Sequence, residues 1–195
     1  MNLAIVKYNA GNIQSVLYAL ERLGVQATVT DDAALLQAAD KVIFPGVGEA
    51  RSAMLSLQEK QLDVVIKNLR QPVLGICVGM QLLFEHSEES DTACLGIIPA
   101  RVRRFAAAPN LKVPQVGWNT IYNMQSPLFA GVAENSYVYY VHSYYAEMNA
   151  WSIAATDYGI SYCGAVHKDN FYGVQFHTEK SAATGDRILK NFLEL

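Results

Sequence analysis

One cysteine in this chain has neighbours that suit a nucleophile. In Gly75-Ile76-Cys77-Val78-Gly79 it stands between two glycines, each two positions away. Val73 to Ile76 reads as a buried strand, and Met80 to Glu85 as a helix. A side chain at a sharp strand-to-helix turn projects above the carboxyl edge of a sheet, where ligands of open α/β folds bind. The turn is tight, so its close neighbours must be small. The spacing is that of the G-x-S-x-G nucleophile elbow, with a thiol in place of the hydroxyl. A helix starting at Cys77 is expected to bring its unpaired amides and positive dipole end to the sulfur, favouring the thiolate. The Val78 N–H would point to the same place and could bind an oxyanion. Buried, inert cysteines are the commoner kind. The glycine pair and the strand–helix context reverse that reading for Cys77. Nothing reverses it for Cys94 or Cys163, which are expected to be inert.

A thiol nucleophile needs a base, and the base needs a group to orient it. The stretch GVQFHTEKS, Gly173 to Ser181, offers His177 at the end of an alternating strand, with Glu179 two residues later. His177 would take the proton from Cys77 and return it to a leaving amine, while Glu179 holds the ring in the right tautomer. Singly, such residues are more often structural or solvated; here three roles can be filled together. His86 in EHSEES reads as exposed and His167 in VHKDN as a turn residue. Pro45-Gly46-Val47-Gly48 follows another buried strand and so lies at the same edge. Its glycines let backbone amides approach a substrate closely, as the second half of an oxyanion hole requires.

The first half of the chain alternates strand and helix, which builds a parallel sheet covered on both faces. The expected order is strand Leu3 to Tyr8, helix Gly11 to Leu23 stopped by Gly24, strand Val25 to Thr30, and a short helix through Ala39. Asp31 and Asp32 are placed to cap that short helix. Strand Lys41 to Phe44 follows, then helices Glu49 to Leu57 and Gln61 to Leu69. The second half reads as strands: Ile97 to Phe105, Lys112 to Ile121, Ser136 to Tyr144, Ser152 to Thr156, Ser161 to His167 and Phe171 to Phe176. A helix, Ala183 to Leu193, closes the chain. The expectation is one α/β domain over residues 1–195, a mostly parallel central sheet flanked by helices with an antiparallel β addition in the second half.

Composition excludes several classes. Of 195 residues 51% are hydrophobic and 17% charged, which is a folded globular chain. Its net charge of −3 gives no footprint for nucleic acid. The basic cluster Arg101, Arg103 and Arg104 alternates with Val102 and reads as the exposed side of a strand. No apolar run approaches the length of a membrane span, and no signal peptide is read at the N-terminus. Three cysteines without CxxC spacing argue against a disulfide framework or a zinc site, so the expected compartment is the reducing cytoplasm.

Together PGVG, LGICVGMQLLF, VHSYY and GVQFHTEKS resemble the motifs of the class I (triad) glutamine amidotransferases, over essentially the whole chain. Within that class, YNAGNIQSV, PGVG, GMQLLF, GWN and VHSYY most resemble the glutaminase subunits of imidazole glycerol phosphate synthase, of histidine biosynthesis. The resemblance implies that Cys77 attacks the side-chain amide of glutamine, with His177 as acid and base and Glu179 as its partner. The product is a γ-glutamyl thioester plus ammonia; water then releases glutamate. It implies an oxyanion hole from the amide of Val78 with one from Val47 or Gly48, and a PGVG backbone that rearranges to complete it. Gly46, Gln81 and the backbone of Ser143 and Tyr144 would hold the substrate, and His142 would be structural or would support those residues from behind. It implies a heterodimer with a (β/α)₈-barrel cyclase subunit that receives the ammonia, with Trp118, Tyr139 and Lys180 near the interface. The implied chemistry uses no cofactor and no metal.

The chain departs from the family pattern at three places. Thr178 replaces the proline of H-P-E-K-S, Lys7 an acidic residue, and Phe44 the histidine before PGVG. Loss of the proline is expected to loosen the path from His177 to Glu179 without removing a catalytic group. Three alternatives remain open in the sequence. The chain could serve another pathway, such as anthranilate, pyridoxal phosphate or GMP synthesis. It could be a cysteine hydrolase on a similar elbow, which has no need of Gln81. It could be a non-catalytic interaction subunit of the same fold.

Overall fold

The computed structural model describes residues 1–9, 12–109 and 111–195. Strand β1 (Leu3–Val6) leads to helix α1 (Ile13–Arg22), whose Val16, Ala19 and Leu20 face the core. The expected Gly11 start of that helix lies outside the described residues. Gly24, at φ +72°, ends it, its N–H returning to the Glu21 carbonyl at 2.9 Å. After β2 (Ala27–Thr30) comes α2 (Ala33–Ala38). Asp32 alone caps α2, accepting from the Ala34 and Leu35 amides at 2.8 and 3.1 Å. Asp31 is drawn instead to Lys60 at 2.7 Å, which holds its carboxyl below the usual range. Then come β3 (Lys41–Gly46), α3 (Ala50–Glu59), α4 (Leu62–Lys67) and β4 (Val73–Cys77), with β3 and β4 buried throughout.

The expected helix from Met80 to Glu85 is a correction. Helix α5 (Val78–Gln81) is a single turn, and the chain returns to strand at β5 (Phe84–Ser87). The residues are apolar enough for either, and tertiary pairing decides. Strand β5 runs parallel to β7 (Ile98–Arg104) and antiparallel to β6 (Thr92–Ala93). One turn carries little macrodipole, so the helix contributes less to a thiolate at Cys77 than the sequence suggested.

Strands β8 (Gln115–Ile121) and β9 (Ser136–His142) pair only with each other along their length, as a ribbon. The single strand expected over Ser136 to Tyr144 breaks at Ser143. Beyond it β10 (Tyr144–Ala146) joins the sheet of β5, β6 and β7. The chain then adds β11 (Ser152–Asp157), β12 (Ser161–Lys168) and β13 (Phe171–Val174), and closes with α6 (Ala182–Glu194). The central sheet has seven strands in the order β11-β12-β13-β4-β3-β1-β2. It is parallel from β13 through β2 and antiparallel at β11 and β12. Central strands β3 and β4 therefore carry both chemical loops, PGVG and the elbow, to one carboxyl edge.

On β7 Arg101 and Arg104 are exposed as expected and Arg103 is half-buried, and two of the three guanidiniums are paired. Arg101 meets Glu85 at 3.4 Å, and Arg103 meets Glu88 at 2.9 Å and Glu147 at 3.1 Å.

Candidate active site

Cys77 has φ 54° and ψ −111°, a backbone state that costs a non-glycine residue about 1–3 kcal/mol. Packing holds it there. A Cβ at Gly79 would meet the Phe44 carbonyl oxygen at 1.9 Å, and one at Gly75 would meet the Gly79 oxygen and the Met80 nitrogen at 2.8 Å. The elbow turn lies directly on β3 and β4, and only glycine permits that approach. The strain aims a nearly buried sulfur, in a residue 3% exposed, out of the sheet edge.

The sulfur opens on a cavity of about 170 Å³ lined by residues from five parts of the chain, four of them at the sheet edge and its neighbouring turns. Val47 and Gly48 come from the loop after β3, and Cys77, Val78 and Gln81 from the elbow. Val141, His142, Ser143 and Tyr144 come from the break between β9 and β10, and His177 and Lys180 from the turn after β13. Gly48, at φ +96°, needs its missing side chain. Gly46 does not line the cavity. It lies under the elbow, where an added Cβ would meet the Gly79 nitrogen at 2.5 Å and the Tyr8 hydroxyl at 2.8 Å. That hydroxyl donates to the Pro45 carbonyl at 2.7 Å, fixing the peptide on which the PGVG loop begins.

His177 Nδ1 lies 2.8 Å from Glu179 Oε1, and both residues are buried. Burial pulls the imidazole's pKa down; the charge of Cys77, hydrogen bonding, and Glu179 outweigh it and raise the pKa to about 10. The balance favours a protonated imidazole at His177. The Glu179 Oε2 and Thr178 hydroxyl oxygens are buried without partners among the described residues. The histidine's backbone is held as firmly as its ring. Its N–H donates to the Tyr139 carbonyl on β9 at 2.9 Å. Ser181 Oγ accepts from the Tyr139 N–H at 2.9 Å and donates to the His177 carbonyl at 2.6 Å.

His142 reaches the cavity wall but is neutral. Its Nδ1 lies 2.7 Å from the Tyr144 carbonyl and its Nε2 3.2 Å from the Tyr162 hydroxyl, and burial pushes its pKa down to about 4. His86 pairs with Asp91 at 2.8 Å, and His167 stacks on Tyr172, both away from the site. The thiols of Cys94 and Cys163 are pushed up to about 12 by burial, as inert thiols should be. Among the described residues no three acidic, histidine or cysteine side chains group as metal ligands. Among the described residues no helix is long and apolar enough to cross a membrane.

One cavity residue was not visible in the sequence. Glu89 lies in EHSEES, where nothing in the sequence singles it out. The structure turns it into the cavity, half-buried, with Oε2 accepting from the Ala50 N–H at 2.8 Å. Burial raises its carboxyl pKa, with the Ala50 amide working against the rise. A desolvated carboxylate beside an amino-acid-sized cavity suits an ammonium group.

Beside the cavity, the ribbon carries an exposed apolar face. Val116, Trp118 and Tyr137 are more than half exposed, and Trp118 packs edge-on against Tyr139 with centroids 5.7 Å apart. Lys180, exposed, lines the cavity.

The model of the family described as glutamine amidotransferase class-I matches residues 4–195. A Bacteroides fragilis protein named imidazole glycerol phosphate synthase subunit HisH is 57% identical over 196 residues, covering all of both chains. A Haemophilus influenzae protein of the same name is 45% identical, covering all of this chain and 98% of that one. The fold is shared with more distant structures. A putative GMP synthase protein from Thermoplasma acidophilum has a TM-score of 0.75 at 20% identity, covering 100% of this chain and 93% of that one. PurLQS from Thermotoga maritima has a TM-score of 0.71 at 14% identity, covering 99% and 97%. The elbow, the triad-like cluster and the parallel sheet are thus found in a chain that belongs to the class-I glutamine amidotransferases and, within them, to the family of imidazole glycerol phosphate synthase subunit HisH.

Proposed function

We infer that this chain is the glutaminase subunit of an imidazole glycerol phosphate synthase, hydrolysing glutamine and supplying ammonia for histidine biosynthesis. The observation that carries the reading is the strained Cys77 sharing one small cavity with a buried, carboxylate-held His177.

Cys77 Sγ attacks the side-chain carbonyl carbon of glutamine as a thiolate, its proton already on His177. The oxyanion that forms accepts from the amides of Val78 and of Val47 or Gly48. His177 gives its proton to the amide nitrogen, the C–N bond breaks, and ammonia leaves a γ-glutamyl thioester. Water then attacks the thioester with His177 as base, releasing glutamate and restoring the thiolate–imidazolium pair. Glu179 balances the imidazolium throughout. At the other end of the substrate, Glu89 and Gln81 receive the α-ammonium, and the backbone of Ser143 and Tyr144 takes the α-carboxylate. Gly46 supports the elbow rather than touching substrate.

The ammonia acceptor is a cyclase subunit docked on the ribbon face with Trp118 and Tyr139, and Lys180 at the edge near the cavity. Exposed aromatics beside a reaction cavity are what an interface core requires. The reading is tested by glutamate release from glutamine, by the chain alone and with a histidine-pathway cyclase plus its nucleotide ligand. Release is expected to rise strongly with the cyclase and to vanish in Cys77→Ala. Folded protein that releases no glutamate in either state sinks the reading.

A further inference from the structure

Gln175 is fully buried on the segment that leads to His177, and the reaction as described does not use it. Its side chain lies behind the sulfur, with Nε2 3.9 Å from Cys77 Sγ, while its Oε1 accepts from Gln81 Nε2 at 3.0 Å. Gln81 Nε2 also donates to the Tyr144 carbonyl at 2.9 Å.

The direction of this chain is not free. A backbone carbonyl only accepts, so Gln81 must turn its Nε2 towards Tyr144. Both Nε2 hydrogens of Gln81 are then spent, one on Tyr144 and one on Gln175. Gln175 must therefore present its oxygen to Gln81, which leaves its own N–H₂ facing the sulfur. Flipping either amide sets oxygen against oxygen or nitrogen against nitrogen. One main-chain carbonyl thus fixes the polarity of two side chains. What Gln81 has left for a ligand is its Oε1, the correct partner for an ammonium.

The sulfur needs such a donor. As a thiol it can donate to the Val141 carbonyl, 3.8 Å away. As a thiolate it faces that carbonyl's negative end, and the one-turn helix α5 offers little compensating dipole. A hydrogen bond between buried groups, as Gln175 and Cys77 are, is stronger than the same bond in solvent. A loose contact at rest tightens once the sulfur carries charge.

We propose that Gln175 is a further catalytic residue: its side-chain amide donates to the Cys77 thiolate and is locked in that orientation by Gln81, so that one two-amide chain holds both the nucleophile and the substrate's head group. The proposal rests on the glutaminase reading for the identity of that head group, but not for its test.

Alkylation of Cys77 by iodoacetamide reads the thiolate without any glutamine. In Gln175→Met, checked as folded by circular dichroism, the pH–rate curve of alkylation is expected to move up by about one pH unit, so that alkylation slows about tenfold at pH values below the parent's midpoint. Gln175→Glu keeps an acceptor for Gln81 but, once ionised, has no donor for the sulfur, and is expected to slow alkylation at least as much. Wild-type rates and pH curves in a folded variant overturn the proposal. Should neither variant fold, the wild-type protein still decides. The Gln175 side-chain amide resonances are expected to shift on pH titration with the same midpoint as alkylation, and not to do so in Cys77→Ala. Amide resonances blind to the sulfur overturn it. Normal alkylation with no glutamine hydrolysis would instead strike the glutaminase reading and leave Gln175 in place.

Discussion

Thr178 shows how one residue can be tolerated at a site and still be suboptimal there. It opens the 3₁₀ turn that carries Glu179, and its hydroxyl is buried without a partner among the described residues. His177 before it is extended, at φ −86° and ψ 101°, which is the conformation a following proline requires. A proline at the first position of such a turn has its φ pre-set, and no orphaned hydroxyl would remain. Thr178→Pro is therefore expected to stabilise the chain by about 1 kcal/mol, raising Tm by roughly 2–4 °C, with kcat unchanged. A lower Tm in a thermal melt would refute this. At this scale the sequence was informative where chemistry is local. Cys77 with its glycines, and His177 with Glu179 two residues on, could be found by spacing alone. Glu89 could not, because the contact that turns it inward is to Ala50, far away in the chain. Gln175 lies within the GVQFHTEKS stretch, yet its use depends on Gln81, brought near only by the fold.

At the scale of elements, the elbow works because β3, β4 and α5 touch backbone to backbone. Gly79→Ala puts a methyl group 1.9 Å from the Phe44 carbonyl oxygen, which no rotamer can relieve. A loss on the order of 3 kcal/mol or more is expected, with activity falling as the elbow is pushed off the sheet. Urea unfolding midpoints of the variant and the parent check it, and equal midpoints would refute it. The elements themselves were largely legible, since strand–helix alternation and turn residues mark the first half plainly. Where the reading failed, the pattern was ambiguous and a distant partner decided. Leu82, Leu83 and Phe84 continue an apolar run that suits the helix expected from Met80 to Glu85, but β7 claims Phe84 to Ser87 as a strand. The strand read through Tyr144 breaks at Ser143 because its two halves belong to different sheets.

At the scale of the molecule, three sheets meet around His142. It sits at the end of β9, bonds the Tyr144 carbonyl on β10 and faces the Tyr162 hydroxyl on β12. Its folded pKa of about 4 lies below the 6.5 of a free histidine, so the unfolded chain binds more protons between those values. The stability this contributes is present above pH 6.5 and lost as pH falls towards 4, a difference of about 3 kcal/mol. Denaturation midpoints are expected to drop across that window in the parent and to drop less in His142→Gln. Identical slopes for the two proteins would remove the assignment.

The ribbon of β8 and β9 is the smallest of these sheets, and the base of the reaction hangs from it through Tyr139 and the Ser181 hydroxyl. The ribbon's backbone meets the rest of the fold at isolated bridges, Tyr122 with Ala155 and Tyr139 with His177, whereas the seven central strands are laddered to one another. Warming should therefore silence the protein before it melts. Residual glutaminase turnover, plotted against temperature beside ellipticity, is expected to fail several degrees earlier and to return on cooling. A freezer-to-bench history would then leave fewer scars on this chain than its activity trace suggests, since a dormant sample is still a folded one.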